Sequence, residues 1–140
     1  MKKVKKLTEE KVIKAIETHM LNKGWNTKSK KGLREKGCDL EMVKGTQRLF
    51  CECKGKSYAD NATPVNENSF IYALGQIVTR MTTGSTSKNA NIYALGLCKE
   101  SAQKALRRIP SNFAKSYNIH IFSVNEENQV TESTPKDFKN

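Results

Sequence analysis

Apolar residues recur at helical spacing near the start of the chain and predict a first helix. The apolar stripe consists of Val12, Ile13, Ile16 and Met20. Thr8 stands before this stripe as the expected N-cap, and Gly24 follows it as a left-handed terminator. The pattern then predicts a short strand that begins at residues 25–27 and leads into a basic loop, Lys28–Lys36.

Two alternating segments, Cys38–Val43 and Arg48–Lys54, predict a β-hairpin around turn residues 44–46. Side chains two positions apart in a strand share a face, so Glu52 and Lys54 are expected on the same face. In the register that the turn implies, Asp39 lies beside Glu52. Two carboxylates and an ammonium group would then meet at one end of the hairpin, between apolar side chains.

The rest of the chain alternates between helices and strands after a long polar loop predicted at residues 55–67. The predicted elements are a helix Ser69–Met81, a strand Asn91–Cys98, a helix Ser101–Ile109 and a strand Ile119–Val124. The strand Asn91–Cys98 is an apolar run, which suits a central parallel strand reached by a crossover. The order predicts an α/β fold with a mixed central sheet flanked by helices.

This length fits one domain, with a core at about residues 8–124 and a polar C-terminal tail, 125–140, that is expected to fray. The four cysteines lack the spacing of a zinc site. No apolar run is long enough to span a membrane, and none follows the basic N-terminus as in a signal peptide. We therefore expect a cytoplasmic protein with reduced thiols.

The chain is strongly basic, with a formal net charge of +11 at pH 7 and a sequence pI near 9.6. Such a charge attracts polyanions and accelerates their encounter with the protein. Nucleic acid is the leading candidate partner, and an acidic membrane surface is the second.

The predicted Asp39–Glu52–Lys54 cluster requires a neutralising cation or proton if it is buried. Mg²⁺ binds through one or two carboxylates and several waters, often where phosphates bind. A lysine beside it could hold the attacking water or offset charge on a phosphate oxygen. The cluster thus indicates metal-dependent phosphodiester hydrolysis. A hairpin whose charged residues only face water explains the same pattern equally well.

Asp39 together with the triplet Glu52-Cys53-Lys54 resembles the signature of the PD-(D/E)XK nuclease superfamily. This superfamily includes type II restriction enzymes, Mrr-like restriction proteins and Holliday-junction resolvases. The resemblance implies a restriction-endonuclease-like αβββαβ core and a Mg²⁺-dependent DNA endonuclease, with Mn²⁺ as an alternative ion. It assigns Asp39 and Glu52 to the metal and Lys54 to the attacking water. Cys38 stands where the signature has proline.

The resemblance implies roles for further residues and for partners. Glu9 is the expected third metal ligand, with Glu10 and Glu17 as alternatives, although Glu9 could equally serve only the helix dipole. Gln76 corresponds to a glutamine that orients the site or contacts DNA. The expected nucleic-acid-binding residues are Lys30, Lys31, Arg34, Lys36, Lys56, Tyr72 and Arg80. The DNA would be duplex or branched, and a homodimer is one way to cut both strands.

Two other functions remain open at this point. The first is a non-catalytic nucleic-acid-binding or accessory subunit that keeps a nuclease-like fold. The second is a basic RNA-binding protein, which leaves the carboxylates of the central hairpin unexplained and has no aromatic stacking motif to support it.

Overall fold

The computed structural model describes residues 6–30, 37–81 and 91–140. The helices are α1 (Glu9–Leu21), α2 (Thr63–Val78), α3 (Lys99–Arg108) and α4 (Ser111–Tyr117). The strands are β1 (Asn26–Lys30), β2 (Leu40–Lys44), β3 (Gln47–Cys53), β4 (Ile92–Cys98), β5 (Ile119–Val124) and β6 (Val130–Ser133). A 3₁₀ helix, Pro135–Asp137, follows β6. The predicted α/β class with a mixed sheet and flanking helices is confirmed.

The strands form one sheet in the order β1-β2-β3-β4-β5-β6. The first three strands make an antiparallel meander, β3, β4 and β5 run parallel, and β6 returns antiparallel to β5. Gly45, with a φ of 60°, opens the two-residue turn between β2 and β3. This short turn fixes the register in which Leu40 lies opposite Cys51. One step further out, Asp39 comes beside Glu52.

The alternation of side chains along β3 divides the core into two layers. Leu49, Cys51 and Cys53 face α1 and pack against its apolar stripe, which includes Val12 and Ile16. The opposite face of the sheet packs against α2, α3 and α4 through a second apolar cluster. Because residues at odd positions of β3 face α1, Glu52 faces the layer that contains α2.

Close backbone packing places the start of α1 against the segment after β3. A Cβ atom on Gly55 would lie 2.6 Å from the backbone nitrogen of Glu9 and 2.9 Å from the carbonyl oxygen of Leu7. The backbone N–H of Lys56 donates a hydrogen bond to that same Leu7 oxygen at 2.8 Å. Only a residue without a side chain fits at position 55. The helix α1 therefore begins directly beside the carboxyl end of β3.

The second helix begins six residues earlier than the predicted Ser69, so the predicted loop 55–67 is wrong over its second half. Pro64 occupies the first turn of α2, where proline is well tolerated. The side chain of Asn66 is buried, and it bonds to both the backbone N–H and the carbonyl of Ser57. The first turn of α2 thus buries a polar residue. A search for apolar residues at helical spacing therefore does not detect the start of this helix.

The expectation that residues 125–140 fray is also wrong. The strand β6 pairs with β5 from Val130 to Ser133, and the ring of Phe138 is buried. The backbone N–H of Lys139 donates to the carbonyl oxygen of Leu106 at 2.9 Å. These contacts hold residues 125–140 in place although their sequence is mostly polar. The backbone groups along one side of β5 need hydrogen-bond partners, and β6 supplies them.

Two predicted segments lie mainly or wholly outside the described residues. The strand β1 extends to Lys30, so the basic loop predicted from Lys28 begins later, and its remaining residues 31–36 lie outside the described ranges. The linker expected at residues 82–90 also lies outside them. In the described part of the chain, no helix has both the length and the apolar character needed to cross a membrane.

Candidate active site

Asp39 and Glu52 form a buried pair of carboxyl groups at one end of the β2–β3 hairpin. Their relative exposures are 8% and 0%. The Oδ2 atom of Asp39 accepts a hydrogen bond from the backbone N–H of Cys53 at 2.9 Å, which fixes its side chain across the hairpin. The interpretation in which these charged residues only face water is therefore wrong for both carboxyl groups.

The environment of Glu52 disfavours its ionised form. Burial raises the pKa of the Glu52 carboxyl, and the negative charge of Asp39 raises it further. A hydrogen bond from Arg80 acts in the opposite direction. Two carboxylates this close cannot both ionise in a buried site without a cation or a proton between them. The pair is thus arranged for a positively charged partner.

Arg80 supplies one such cation from the protein itself. Its Nε atom lies 3.3 Å from Glu52 Oε1, and an Nη atom donates to the carbonyl oxygen of Gly37 at 2.7 Å. Arg80 lies just beyond the end of α2, and 30% of its side chain is exposed. Arg80, which was expected to contact DNA, therefore connects the end of α2 to the carboxylate pair and to the backbone two residues before Asp39.

Two acceptor atoms beside this cluster lack partners. Glu52 Oε2 and Gln76 Oε1 are both buried and without a hydrogen bond. Gln76 lies one helical turn before Arg80 on α2, so it lies on the side of the helix that meets the site. Buried acceptors nearly always have a partner in native proteins. The orphaned Glu52 Oε2 atom in the carboxylate pair is suited to a bound cation or to an ordered water.

Lys54 lies directly after the last residue of β3 and is partly exposed. Its backbone N–H donates to the carbonyl oxygen of Gly96 on β4 at 2.9 Å, which extends the parallel pairing by one residue. The alternation of β3 places Lys54 on the same face as Glu52. The consecutive residues Glu52, Cys53 and Lys54 thus lead from a buried carboxyl group to a partly exposed lysine at the edge of the sheet.

Cys38 occupies the position before Asp39 as a buried thiol. It donates to the carbonyl oxygen of Cys51 at 3.1 Å. Burial raises the pKa of the Cys38 thiol, and the negative charge of Glu52 raises it further. The four cysteines are free and buried, as expected for reduced thiols. The Cys38 thiol therefore remains protonated and closes the hairpin end by a backbone hydrogen bond.

Among the described residues, no third carboxylate joins Asp39 and Glu52 in a metal-binding group. Glu9 and Glu10 are exposed in the first turn of α1. Glu17 instead accepts from the Thr27 hydroxyl at 2.6 Å and pairs with Lys30 at 3.1 Å, on β1. In residues 6–30, 37–81 and 91–140, no group of three His, Cys, Asp or Glu side chains is placed to hold a metal.

Apart from Arg80, which contacts Glu52, the residues expected to bind nucleic acid fall into three groups. Tyr72 is 71% exposed on the outer side of α2. Lys30 and Lys56 are both engaged with carboxylates, Lys56 with Glu100 at 3.3 Å and with Glu126 at 2.9 Å. The remaining expected residues, Lys31, Arg34 and Lys36, lie outside the described residues. Sequence reasoning missed the double pairing of Lys56, because both partners are distant in sequence.

The donor atoms fit Mg²⁺ by their chemistry. Asp39 and Glu52 offer only oxygen atoms, and Mg²⁺ is commonly bound by one or two carboxylates with water completing its shell. The orphaned Oε2 atom of Glu52 is the specific observation in favour of this fit. The competing observation is that Arg80 already pairs with the other oxygen of Glu52.

Comparisons with known proteins identify no relative: no family model matches the chain, and neither the curated proteins nor the solved structures contain a match.

Proposed function

We propose that this chain is a Mg²⁺-dependent DNA endonuclease of the PD-(D/E)XK type. The observation that carries the proposal is the buried pair Asp39 and Glu52, followed by Lys54 at the carboxyl end of β3. Paired buried carboxylates destabilise a fold unless a cation compensates them. The order of α1, the meander, α2 and β4 is the order that the superfamily core requires, and it supports the proposal independently of the motif.

Each residue of the pair has a separate task in this proposal. Asp39 and Glu52 would hold Mg²⁺, which when bound polarises a phosphoryl oxygen and lowers the pKa of water. The Cys53 N–H orients Asp39 through its 2.9 Å hydrogen bond. Lys54 would position the attacking water or offset charge that develops on the phosphate. Gln76 offers an oxygen that can orient a water at the same place.

The net charge of +11 supports a polyanionic substrate. In water-exposed grooves, Lys and Arg contacts to phosphates supply most of the affinity of a DNA-binding protein, whatever the base sequence. This electrostatic contribution to affinity supports DNA as the substrate.

A second candidate is a non-catalytic nucleic-acid-binding subunit with the same fold. The ion pair between Arg80 and Glu52 favours it, because an internal cation can satisfy the carboxylate permanently. In that case Asp39, Glu52 and Arg80 would be part of the folded structure without taking part in catalysis. The two orphaned acceptors would then have no function.

Cleavage of a substrate panel distinguishes the two candidates. The panel comprises supercoiled plasmid, linear duplex, a four-way junction and single-stranded DNA, each with Mg²⁺, Mn²⁺ or EDTA. Lys54→Met is compared with Lys115→Met, which removes the same charge from an exposed position on α4. The nuclease proposal expects metal-dependent cutting that Lys54→Met abolishes and Lys115→Met retains. Tight binding without cutting in any metal would support the accessory subunit instead.

A further inference from the structure

A cavity of about 520 Å³ lies between α1 and the β5–β6 hairpin, on the opposite face of the sheet from Glu52. We call it the α1–β6 groove. Its polar lining comprises Lys11, Lys14, Thr18, His19 and Asn22 of α1, together with Asn128 of the β5–β6 turn. Its volume lies within the usual range of ligand-binding clefts. None of its residues belongs to the carboxylate site.

The lining favours an anion. It contains two ammonium groups, a hydroxyl and two amides, and no acidic side chain. The carboxylate of Glu132 on β6 is paired with Lys23 at 2.7 Å and lies 3.5 Å from Nε2 of His19, which lines the groove. The negative charge of Glu132 is therefore compensated. Both Lys11 and Lys14 are exposed, and the Lys11 ammonium donates to the carbonyl oxygen of Lys6 at 2.9 Å, a contact that a bound phosphate would have to replace.

The groove is long enough to contact more than one phosphate group. Its α1 residues run from Lys11 to Asn22 along one side of the helix, at intervals of three or four residues. At about 1.5 Å per residue this row is about 16 Å long. Successive phosphates of one DNA strand advance about 3.4 Å along the duplex axis, so a row of this length can contact more than one phosphate, with Lys11 and Lys14 as its cations.

Topology connects the groove to the proposed active site. The strands β3, β4 and β5 are parallel, so their carboxyl ends lie at the same edge of the sheet. Lys54 follows β3 at this edge, and the turn that carries Asn128 follows β5 at the same edge. The start of α1 lies there too, against Gly55. At this edge, Lys56 connects the start of α3 to the β5–β6 turn through its salt bridges to Glu100 and Glu126.

We propose that the α1–β6 groove binds the phosphate backbone of the nucleic acid that flanks the cleaved bond. The substrate would cross the carboxyl edge of the sheet at Lys54 and continue along α1 past Lys11 and Lys14. The identity of the ligand rests on the proposed function, but binding in the groove requires neither metal nor cleavage. The groove therefore adds affinity without taking part in the chemistry.

The test measures binding of a labelled DNA duplex in EDTA over a range of salt concentrations. The groove variant is Lys11→Gln with Lys14→Gln. The control is Lys115→Gln with Lys139→Gln, which removes the same charge from exposed positions on the layer opposite α1. We expect the groove variant to weaken binding about tenfold or more and to reduce the salt slope by about 2, against little change in the control. Arginine at positions 11 and 14 should restore the affinity.

Several results would overturn the inference. Equal weakening by the groove and control variants would show that only net charge matters, and wild-type affinity in the groove variant would show that the groove is not used. Displacement of the duplex by polyglutamate at equal charge concentration would indicate an anion site without preference for nucleic acid. The proposed function fails separately, if cleavage survives the loss of Asp39 while the groove variants still lose binding. Thermal melting of each variant checks that it is folded.

Discussion

The guanidinium of Arg80 lies 3.3 Å from Glu52 Oε1 and also donates to the carbonyl oxygen of Gly37 at 2.7 Å. One cation from the end of α2 thus contacts β3 and the segment that leads into β2. A divalent metal bound by Glu52 would meet this guanidinium as a competitor, since both are attracted to the same carboxylate.

Removing Arg80 should therefore strengthen metal binding. We expect Arg80→Met to bind Mn²⁺ about fivefold more tightly than the wild type, because about 1 kcal/mol of the ion pair no longer opposes the metal. Electron paramagnetic resonance of free Mn²⁺ measures the affinity without any cleavage. Arg107→Met, at an exposed position of α3, is the control. Weaker Mn²⁺ binding in Arg80→Met would mean that Arg80 holds Glu52 in a conformation that the metal needs.

The raised pKa of Glu52 predicts how stability depends on pH. Burial and the charge of Asp39 raise the pKa of this carboxyl in the folded state, so the folded protein binds the proton more tightly than the unfolded chain. The wild type should therefore lose stability as the pH rises from the unfolded pKa of about 4.3 through the raised folded pKa. Glu52→Gln should remove this loss and be more stable than the wild type at neutral pH, by about 1 kcal/mol. Urea unfolding at several pH values measures it.

Glu41 provides a control of opposite sign for the pH experiment. Partial burial alone would raise the pKa of Glu41, but hydrogen bonds from Arg48 and Lys28 outweigh it and lower the pKa. Its stabilisation is present above the unfolded pKa and is lost as the pH falls through the lowered folded pKa. Glu41→Gln should therefore destabilise the protein at neutral pH. A Glu52→Gln protein that behaves in the same way would contradict the assigned direction.

Gly55 should not tolerate a side chain. A Cβ atom there would lie 2.6 Å from the backbone of Glu9, so Gly55→Ala should force α1 away from the end of β3. We expect a loss of about 1–3 kcal/mol in the free energy of unfolding, measured by urea denaturation. Gly75→Ala is the matched control, because nothing lies within 4 Å of its Cβ position in mid-helix. It should stabilise the protein by about 0.5–1 kcal/mol. Equal effects at the two glycines would argue against the close packing at residue 55.

Lys56 should matter for stability more than for DNA affinity. Hydrogen bonds from its ammonium group to Glu126 and Glu100 raise the pKa of Lys56, and 21% of its side chain is exposed. We expect Lys56→Gln to lower the free energy of unfolding by about 1 kcal/mol, since two carboxylates lose their partner. Its effect on the salt slope of DNA binding should be smaller than that of Lys11→Gln. A slope change as large as that of the groove lysine would show that Lys56 leaves its carboxylates to bind phosphate.

The hairpin and its carboxylate pair could be predicted because local rules determine them. Alternation along β3 fixes which side chains share a face, and the short turn at Gly45 fixes which residues stand opposite. The N-cap at Thr8 is equally local, and the structure shows its hydroxyl accepting from Lys11. For the same reason, Asp39 beside Glu52 followed from spacing alone.

The contacts that modify the site could not be predicted in the same way. Arg80 meets Glu52 across 28 residues of sequence, and Lys56 meets Glu126 across 70. The spacing of apolar residues along the sequence indicates neither pairing, because each one depends on how the helices and loops pack on the sheet. The strand β6 was missed because it is stabilised by the edge of β5 more than by its own apolar residues.

The most direct test of the account is the Mg²⁺ dependence of supercoiled-plasmid cleavage by the wild type, Asp39→Asn and Asp60→Asn. Asp60 is exposed in the loop before α2 and serves as the matched control. The account predicts Mg²⁺-dependent cleavage in the wild type and in Asp60→Asn, and a loss of about a thousandfold in Asp39→Asn. Cleavage that persists in Asp39→Asn at the wild-type rate would contradict the assignment of the buried carboxylate pair as the catalytic site.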